Sequence, residues 1–138
     1  MNRDENRWAD LVAGAKKASV SAYCPYSRFA VGAAVLTSDG KIFAAPNVEN
    51  ASYGLSICAE RNAIFHAVAA GSHDIAAIAI YTPTPIVSTP CGACRQVLIE
   101  FGRNAEVLCV CDGAEQKLFT AASLLPSAFE LHESQPPI

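Results

Sequence analysis

The sequence is 138 residues long, about half of them hydrophobic, and its formal net charge at pH 7 is −3. This length predicts one domain over residues 1–138, with enough apolar side chains to fill a core without disulfides. The acidic balance disfavours a nucleic-acid partner, and no apolar run reaches the roughly 20 residues of a membrane span. Because the N-terminal MNRDENRWAD is polar where a signal peptide would be apolar, we expect a cytoplasmic protein without a membrane partner.

The first half of the chain predicts a helix, a hairpin and a second helix. Apolar residues with helical spacing predict an amphipathic helix that ends before Pro25: Trp8, Leu11, Val12, Ala15, Ala18 and Ala22. Residues 30–37 and 41–45 flank a Ser-Asp-Gly turn and predict a β-hairpin. A helix is then predicted from Ala59 onward, closed by Gly71.

The second half predicts alternating strands and helices. Strands are expected at 75–81, at 106–111 and near 117–120, a helix at 91–101 and a brief helix after residue 120. Residues 82–90 contain three prolines and are predicted to form a loop. Strands that alternate with helices favour an α/β fold, here a three-layer α/β/α arrangement around a mixed sheet of about five strands.

Two of the predicted helices begin with cysteine. One begins with CAER at Cys58, and the other follows the sequence PCGAC, which contains Cys91 and Cys94. Because both helices follow connections from neighbouring strands, we expect their N-termini to meet at one edge of the sheet. Helix N-termini stabilise thiolates. Three thiolates suit Zn²⁺ and leave its fourth position open for water, which is typical of catalytic zinc sites.

Glu60 lies on the predicted core-facing stripe of its helix, together with Ile64, Ala67 and Val68. A carboxylate there is costly unless it has a partner or a chemical role. Beside a water at the open zinc position, Glu60 could take up a proton and pass it to a substrate, with its pKa raised by burial. Arg61 is predicted to balance the negative charge of three thiolates around Zn²⁺.

Other interpretations of the cysteines stay open from spacing alone. A single C-x-x-C also occurs in redox dithiols and in structural zinc knuckles, and Cys24, Cys109 or Cys111 could be a fourth ligand. The last two lie in an apolar strand and favour a core role. Three disulfides would need an oxidising compartment, which nothing in the sequence indicates. The histidines match no ligand spacing relative to the cysteines: His66, His73 and His132.

Taken together, these motifs resemble those of the zinc-dependent cytidine deaminases of the short, homotetrameric type. The resemblance rests on CAER, followed about thirty residues later by PCGACRQV, and on PYSRFAVGAAV, NVENASYG and LLPSAF. These motifs occur in order and cover most of the chain. The wider superfamily often has histidine where Cys58 stands, whereas cysteine is typical of the small nucleoside enzymes.

The resemblance implies one Zn²⁺ per chain, held by Cys58, Cys91 and Cys94, with Glu60 as the proton shuttle. It implies a cytidine deaminase-like domain that hydrolyses cytidine and 2′-deoxycytidine to the uridines and releases ammonia, as in pyrimidine salvage. Two alternatives remain: a deaminase of another aminated nucleoside, and a non-catalytic structural zinc module.

The resemblance also implies substrate contacts. Asn47 and Glu49 would hold the ribose, Phe29 would pack on the pyrimidine, and the Ala59 backbone would lie near the exocyclic group. Phe129 would enter the pocket of a neighbouring subunit of a homotetramer. Residues 47 and 49 are two apart on a predicted extended segment, so their side chains should point the same way, and their amide and carboxylate suit sugar hydroxyls.

Overall fold

A computed structural model of the chain describes residues 3–131. The described part contains four α-helices, one 3₁₀ turn (Tyr53–Leu55) and five β-strands. In chain order the helices and strands are α1 (Arg3–Ser19), β1 (Gly32–Thr37), β2 (Ile42–Pro46), α2 (Ala59–Ala69), β3 (Ile75–Tyr81), α3 (Gly92–Gly102), β4 (Glu106–Val110), β5 (Gln116–Thr120) and α4 (Ala121–Leu124).

The predicted elements are therefore confirmed, with small shifts at their ends. α1 ends before Ala22, because the chain turns away and Tyr23 pairs with Val48 in an isolated β-bridge. α2 is followed by Gly71 at φ +93°, a conformation that glycine adopts without strain. α3 begins one residue late, since Cys91 caps the helix with extended backbone angles.

The five strands form one mixed sheet in the order β2-β1-β3-β4-β5. β3 and β4 are parallel, and every other pair is antiparallel. The amino end of β1 therefore lies beside the carboxyl ends of β2 and β3, as the pairs Gly32–Pro46 and Gly32–Tyr81 show. The loop that leads to α3 leaves from this edge, and so does the segment that leads to α2.

Helices cover both faces of this sheet, which confirms the predicted three-layer α/β/α fold. α2 and α3 pack on one face, where Ile64 and Leu98 join Ile78, Ile80 and Val107 in the larger core. α1 packs on the other face, where the buried side chains include Leu11, Ala15, Ala34, Ala77 and Ala79.

Close packing of α1 depends on one glycine. A Cβ atom at Gly32 would lie 1.8 Å from the backbone oxygen of Ala15, so a larger residue would push the helix off the sheet. Over residues 3–131, no helix is both long enough and apolar enough to span a bilayer. His132 lies outside the described residues.

Candidate active site

Three sulfur atoms meet at the edge of the sheet where α2 and α3 begin. Cys58 is the N-cap of α2, Cys91 is the N-cap of α3, and Cys94 lies in the first turn of α3. The Sγ atoms of Cys58 and Cys91 are 3.8 Å apart, and those of Cys91 and Cys94 are 3.4 Å apart. All three lie within 4.8 Å of one another. The predicted convergence of the two helix starts is confirmed.

This donor set fits a zinc ion. Zn–S bonds of about 2.3 Å at tetrahedral angles place sulfurs about 3.8 Å apart, close to the separations observed. Among residues 3–131 the group contains these three cysteines and no fourth histidine, cysteine or acidic ligand. The fourth zinc position is therefore left to a small molecule, as in catalytic zinc sites. All six cysteines are free.

The pKa of the Cys58 thiol is lowered and that of the Cys94 thiol is raised. Hydrogen bonds from the Cys94 thiol and from Arg61 lower the pKa of Cys58 to about 5. The same hydrogen bond raises the pKa of Cys94, since its proton is held against the Cys58 thiolate. The Arg61 Nη2 atom lies 3.4 Å from the Cys58 Sγ atom, so a cation does stand beside the sulfurs.

Glu60 is buried directly behind this cluster. Its side chain belongs to the buried face of α2 with Ala63, Ile64 and Ala67, and only 7% of the residue is exposed. Burial raises the pKa of Glu60 to about 7, and the Cys58 thiolate adds to this effect. A carboxyl group that titrates near neutral pH can both accept and donate a proton during one reaction cycle.

The segment after β2 is held against the start of α2. Val48 and Ile57 exchange backbone hydrogen bonds of 3.0 and 2.9 Å. The Asn62 side chain on α2 donates to the Pro46 oxygen at 3.0 Å. These contacts bring Asn47 and Glu49 to the edge of the sheet that bears the three sulfurs.

The Asn47 side chain makes hydrogen bonds to the backbone that the sequence did not predict. Its Oδ1 atom accepts a hydrogen bond from the Val31 N–H at 2.9 Å, and its Nδ2 atom donates to the Phe29 oxygen at 2.8 Å. The residue is 9% exposed. A carboxamide has two donor protons and two acceptor lone pairs, so one of each remains for a ligand. Asn47 thus also holds the backbone on both sides of residue 30.

Glu49 binds the loop between α1 and β1. Its Oε1 atom accepts hydrogen bonds from the backbone N–H groups of Tyr26 and Ser27, both at 3.1 Å, and its Oε2 atom accepts from the Ser27 hydroxyl. These donors hold the pKa of Glu49 below its ordinary value. Glu49 also lines a cavity of about 260 Å³ with Tyr26, Ser27, Tyr53 and Ser56.

The remaining predicted contact residues differ in accessibility. Phe29 is 40% exposed at the same edge of the sheet, whereas Ala59 is fully buried. Phe129 is 70% exposed, and its backbone oxygen accepts a hydrogen bond of 3.2 Å from the Gln96 side chain. Phe129 therefore points away from the core of its own chain.

Arg95 is a site residue to which sequence reasoning gave no role. Its Nε atom donates to the Pro90 oxygen at 2.7 Å, next to Cys91, and its Nη1 atom donates to the Leu124 oxygen at 2.9 Å. It thereby ties the cysteine-bearing loop to the C-terminal segment. The motif PCGACRQV contains Arg95, but nothing in it indicates a contact thirty residues away.

Comparison with known proteins agrees with this geometry. Residues 6–111 match the family model described as the cytidine and deoxycytidylate deaminase zinc-binding region. The chain belongs to that family. Its zinc-binding region includes all three clustered cysteines, so zinc is the cofactor of this chain.

Individual members of the deaminase family are similar over most of their length. The cytidine deaminase of Halalkalibacterium halodurans is 45% identical, with 86% of this chain and 91% of that protein aligned. The cytidine deaminase of Sporosarcina psychrophila is 46% identical, with 86% and 88% aligned. A crystal structure of cytidine deaminase from Burkholderia pseudomallei is 48% identical, covers 94% of this chain and all of that chain, and superposes with a TM-score of 0.85.

Proposed function

We propose that residues 1–138 form one catalytic domain that hydrolyses cytidine and 2′-deoxycytidine to uridine and 2′-deoxyuridine and releases ammonia. The observation that carries this proposal is the buried Glu60 carboxyl beside three converging cysteine sulfurs, in a chain of the deaminase family. One ion per chain, held by Cys58, Cys91 and Cys94, is the expected stoichiometry.

Glu60 performs the proton transfers. Zinc held by Cys58, Cys91 and Cys94 would act as a Lewis acid and would lower the pKa of water toward about 7. Glu60 accepts the proton of the attacking water and delivers it to ring N3, so that C4 can accept the new C–O bond. Glu60 then takes the remaining proton of the oxygen added at C4 and carries it to the amino group, which leaves as ammonia when the C4–N bond breaks. The pKa of Glu60 near 7 suits both transfers.

Substrate recognition is assigned to residues around this centre. Glu49 and Asn47 each keep hydrogen-bonding capacity for the sugar, Phe29 packs on the pyrimidine, and the Ala59 backbone faces the exocyclic group. Arg61 offsets the negative charge of the thiolates, which is supported by its 3.4 Å contact with the Cys58 sulfur.

We further propose a homotetramer with shared active sites, in the cytoplasm. The 70% exposure of Phe129 and the 75% exposure of Tyr53 support an assembly, because large side chains of this kind gain most from burial. A reducing compartment keeps three thiols available for zinc. In that compartment the reaction would convert cytidine to uridine as a step of pyrimidine salvage.

The direct test is ammonia release from cytidine by the zinc-loaded protein. We expect stoichiometric formation of uridine and ammonia, and turnover of 2′-deoxycytidine by the same preparation. Protein that carries one zinc per chain but converts neither nucleoside would refute the proposed activity.

Substitution of Glu49 tests the sugar contact. Glu49→Ala should weaken transition-state binding of cytidine by about 1–3 kcal/mol, the usual cost of an unpaired polar contact, and should lower kcat/KM accordingly. Turnover of the free base cytosine, which has no sugar, should change much less. Equal losses on both substrates in steady-state kinetics would remove Glu49 from sugar recognition.

Substitution of Phe129 tests the shared site. Phe129→Ala should raise KM for cytidine on the order of tenfold, as expected for the loss of an aromatic contact worth about 1.5 kcal/mol. Leu118→Ala, at a 56% exposed position beside α1, serves as the control and should leave KM unchanged. A fully active monomer, identified by sedimentation at assay concentration, would contradict the shared site.

A further inference from the structure

The Ser27 hydroxyl lies between two elements of the proposed substrate site. It donates a hydrogen bond to the Glu49 Oε2 atom and accepts one of 3.0 Å from the Phe29 N–H. A hydroxyl has a single proton. Because an ionised carboxylate can only accept hydrogen bonds, the Ser27 proton is directed at Glu49, and the hydroxyl oxygen stays free to accept from the Phe29 N–H.

Glu49 accepts three hydrogen bonds from this loop, and the one from the Ser27 hydroxyl is the one that depends on which side chain is present. The other two donors to Glu49 are the backbone N–H groups of Tyr26 and Ser27, which nearly any residue would provide. The loop itself is bent by the hydrogen bond from Arg28 N to the Cys24 oxygen and by a positive φ of 57° at Arg28. A left-handed conformation at a non-glycine residue is uncommon and needs support from its surroundings.

The three contacts also limit what Glu49 can bind. An ionised carboxylate has about four lone-pair positions, and the loop occupies three of them. The position that remains is on Oε2, the oxygen that the Ser27 proton fixes in place. Glu49 therefore keeps room for one more donor, such as a sugar hydroxyl.

We propose that Ser27 is a positioning residue for nucleoside recognition, which holds Glu49 so that its free lone pair meets a sugar hydroxyl. This inference rests on the proposed function of Glu49. Through the Phe29 N–H, Ser27 also links the sugar site to the residue that packs on the base. Asn47 holds the opposite side of the same residue through the Phe29 oxygen. The sugar and base contacts thus belong to one hydrogen-bonded unit.

The experiment combines Ser27→Ala with Ser27→Thr in the zinc-loaded protein. We expect Ser27→Ala to raise KM for cytidine roughly tenfold while kcat stays within about twofold, because a binding contact made equally in ground and transition states is lost. Ser27→Thr keeps the hydroxyl and should restore most of the affinity. Ser38→Ala, on the exposed β1–β2 turn, is the matched control and should behave like the parent.

A double-mutant cycle separates positioning from general damage to the loop. If Ser27 acts through Glu49, Ser27→Ala should have little further effect on KM in a Glu49→Ala background. Full additivity of the two changes, or an unaltered KM in Ser27→Ala, would overturn the proposal. Unchanged zinc content and melting temperature in each variant would exclude misfolding as the cause.

A titration gives a result that does not depend on turnover. The pKa of the Glu49 carboxyl, followed by carbon-13 NMR, should rise toward its ordinary value in Ser27→Ala because the hydroxyl donor is gone. If the parent failed to deaminate cytidine, the proposed function would fall, while the titration would still judge the Ser27 contact. A Glu49 pKa that is equal in parent and variant would overturn the inference.

Discussion

Glu60→Gln should abolish deamination while the protein keeps its fold and its zinc. Glutamine has nearly the shape of glutamate, and Glu60 is not among the clustered ligands. Glutamine can neither take a proton from water nor deliver one to N3 of the ring. General acid–base groups contribute about 10²- to 10⁴-fold, and because Glu60 performs several transfers, we expect a loss of kcat at or above the upper end of this range.

Single-turnover and steady-state assays of zinc-loaded protein would measure this loss. Glu100→Gln, the same change at an exposed position of α3, provides the control and should retain parental activity. A Glu60→Gln protein that carries zinc and deaminates cytidine within about tenfold of the parent would refute the proton-shuttle assignment.

Cys94→Ala should remove zinc and, with it, all measurable deamination. Cys94 is 1% exposed and lies within 3.4 Å of the Cys91 sulfur, so alanine would leave an incomplete donor set in a buried position. The parent should contain one zinc per chain with three sulfurs and one lighter atom in its X-ray absorption spectrum. The variant should retain almost no zinc after dialysis.

Cys109→Ala is the matched control for this change. Cys109 is also fully buried, its pKa is raised by burial to about 12, and it lies outside the metal cluster. Its substitution should lower the melting temperature but leave zinc and activity in place. A full equivalent of zinc in Cys94→Ala would contradict the assignment of Cys94 as a ligand, whereas four sulfurs per ion in the parent would indicate a structural site rather than a catalytic one.

Local patterns were sufficient to predict the elements and the metal cluster. Apolar periodicity located the helices and strands, and the spacing of Cys91 and Cys94 placed both on one side of a helical turn. The energetic cost of a carboxylate on a core-facing stripe predicted a chemical role for Glu60, and the burial on which that prediction depends is confirmed. The element predictions succeed because they depend on residues close together in the sequence, whereas the convergence of Cys58 with Cys91 was predicted from the connections between strands and helices.

Contacts between distant segments were not predictable in the same way. The hydrogen bonds of the Asn47 side chain to the backbone of Phe29 and Val31 depend on how the segment after β2 passes the start of β1. The hydrogen bond from Arg95 to the Leu124 oxygen depends likewise on where the C-terminal segment crosses α3. Both involve common polar side chains in the described fold, and a single sequence contains no periodic signal for such pairs. The role proposed for Phe129 would additionally depend on another subunit.

The cysteines that converge at the sheet edge lie before and after β3 in the sequence, so one ion would cross-link chain segments about three dozen residues apart. In the chain-entropy treatment, a covalent link that closes a loop of this length restricts the unfolded chain by about 4 kcal/mol. Metal affinity would then be part of folding stability. Under zinc starvation, we therefore expect newly made chains to open around α2 and α3 and to be degraded by proteases, so that the cell loses the protein itself rather than keeping an intact, inactive form.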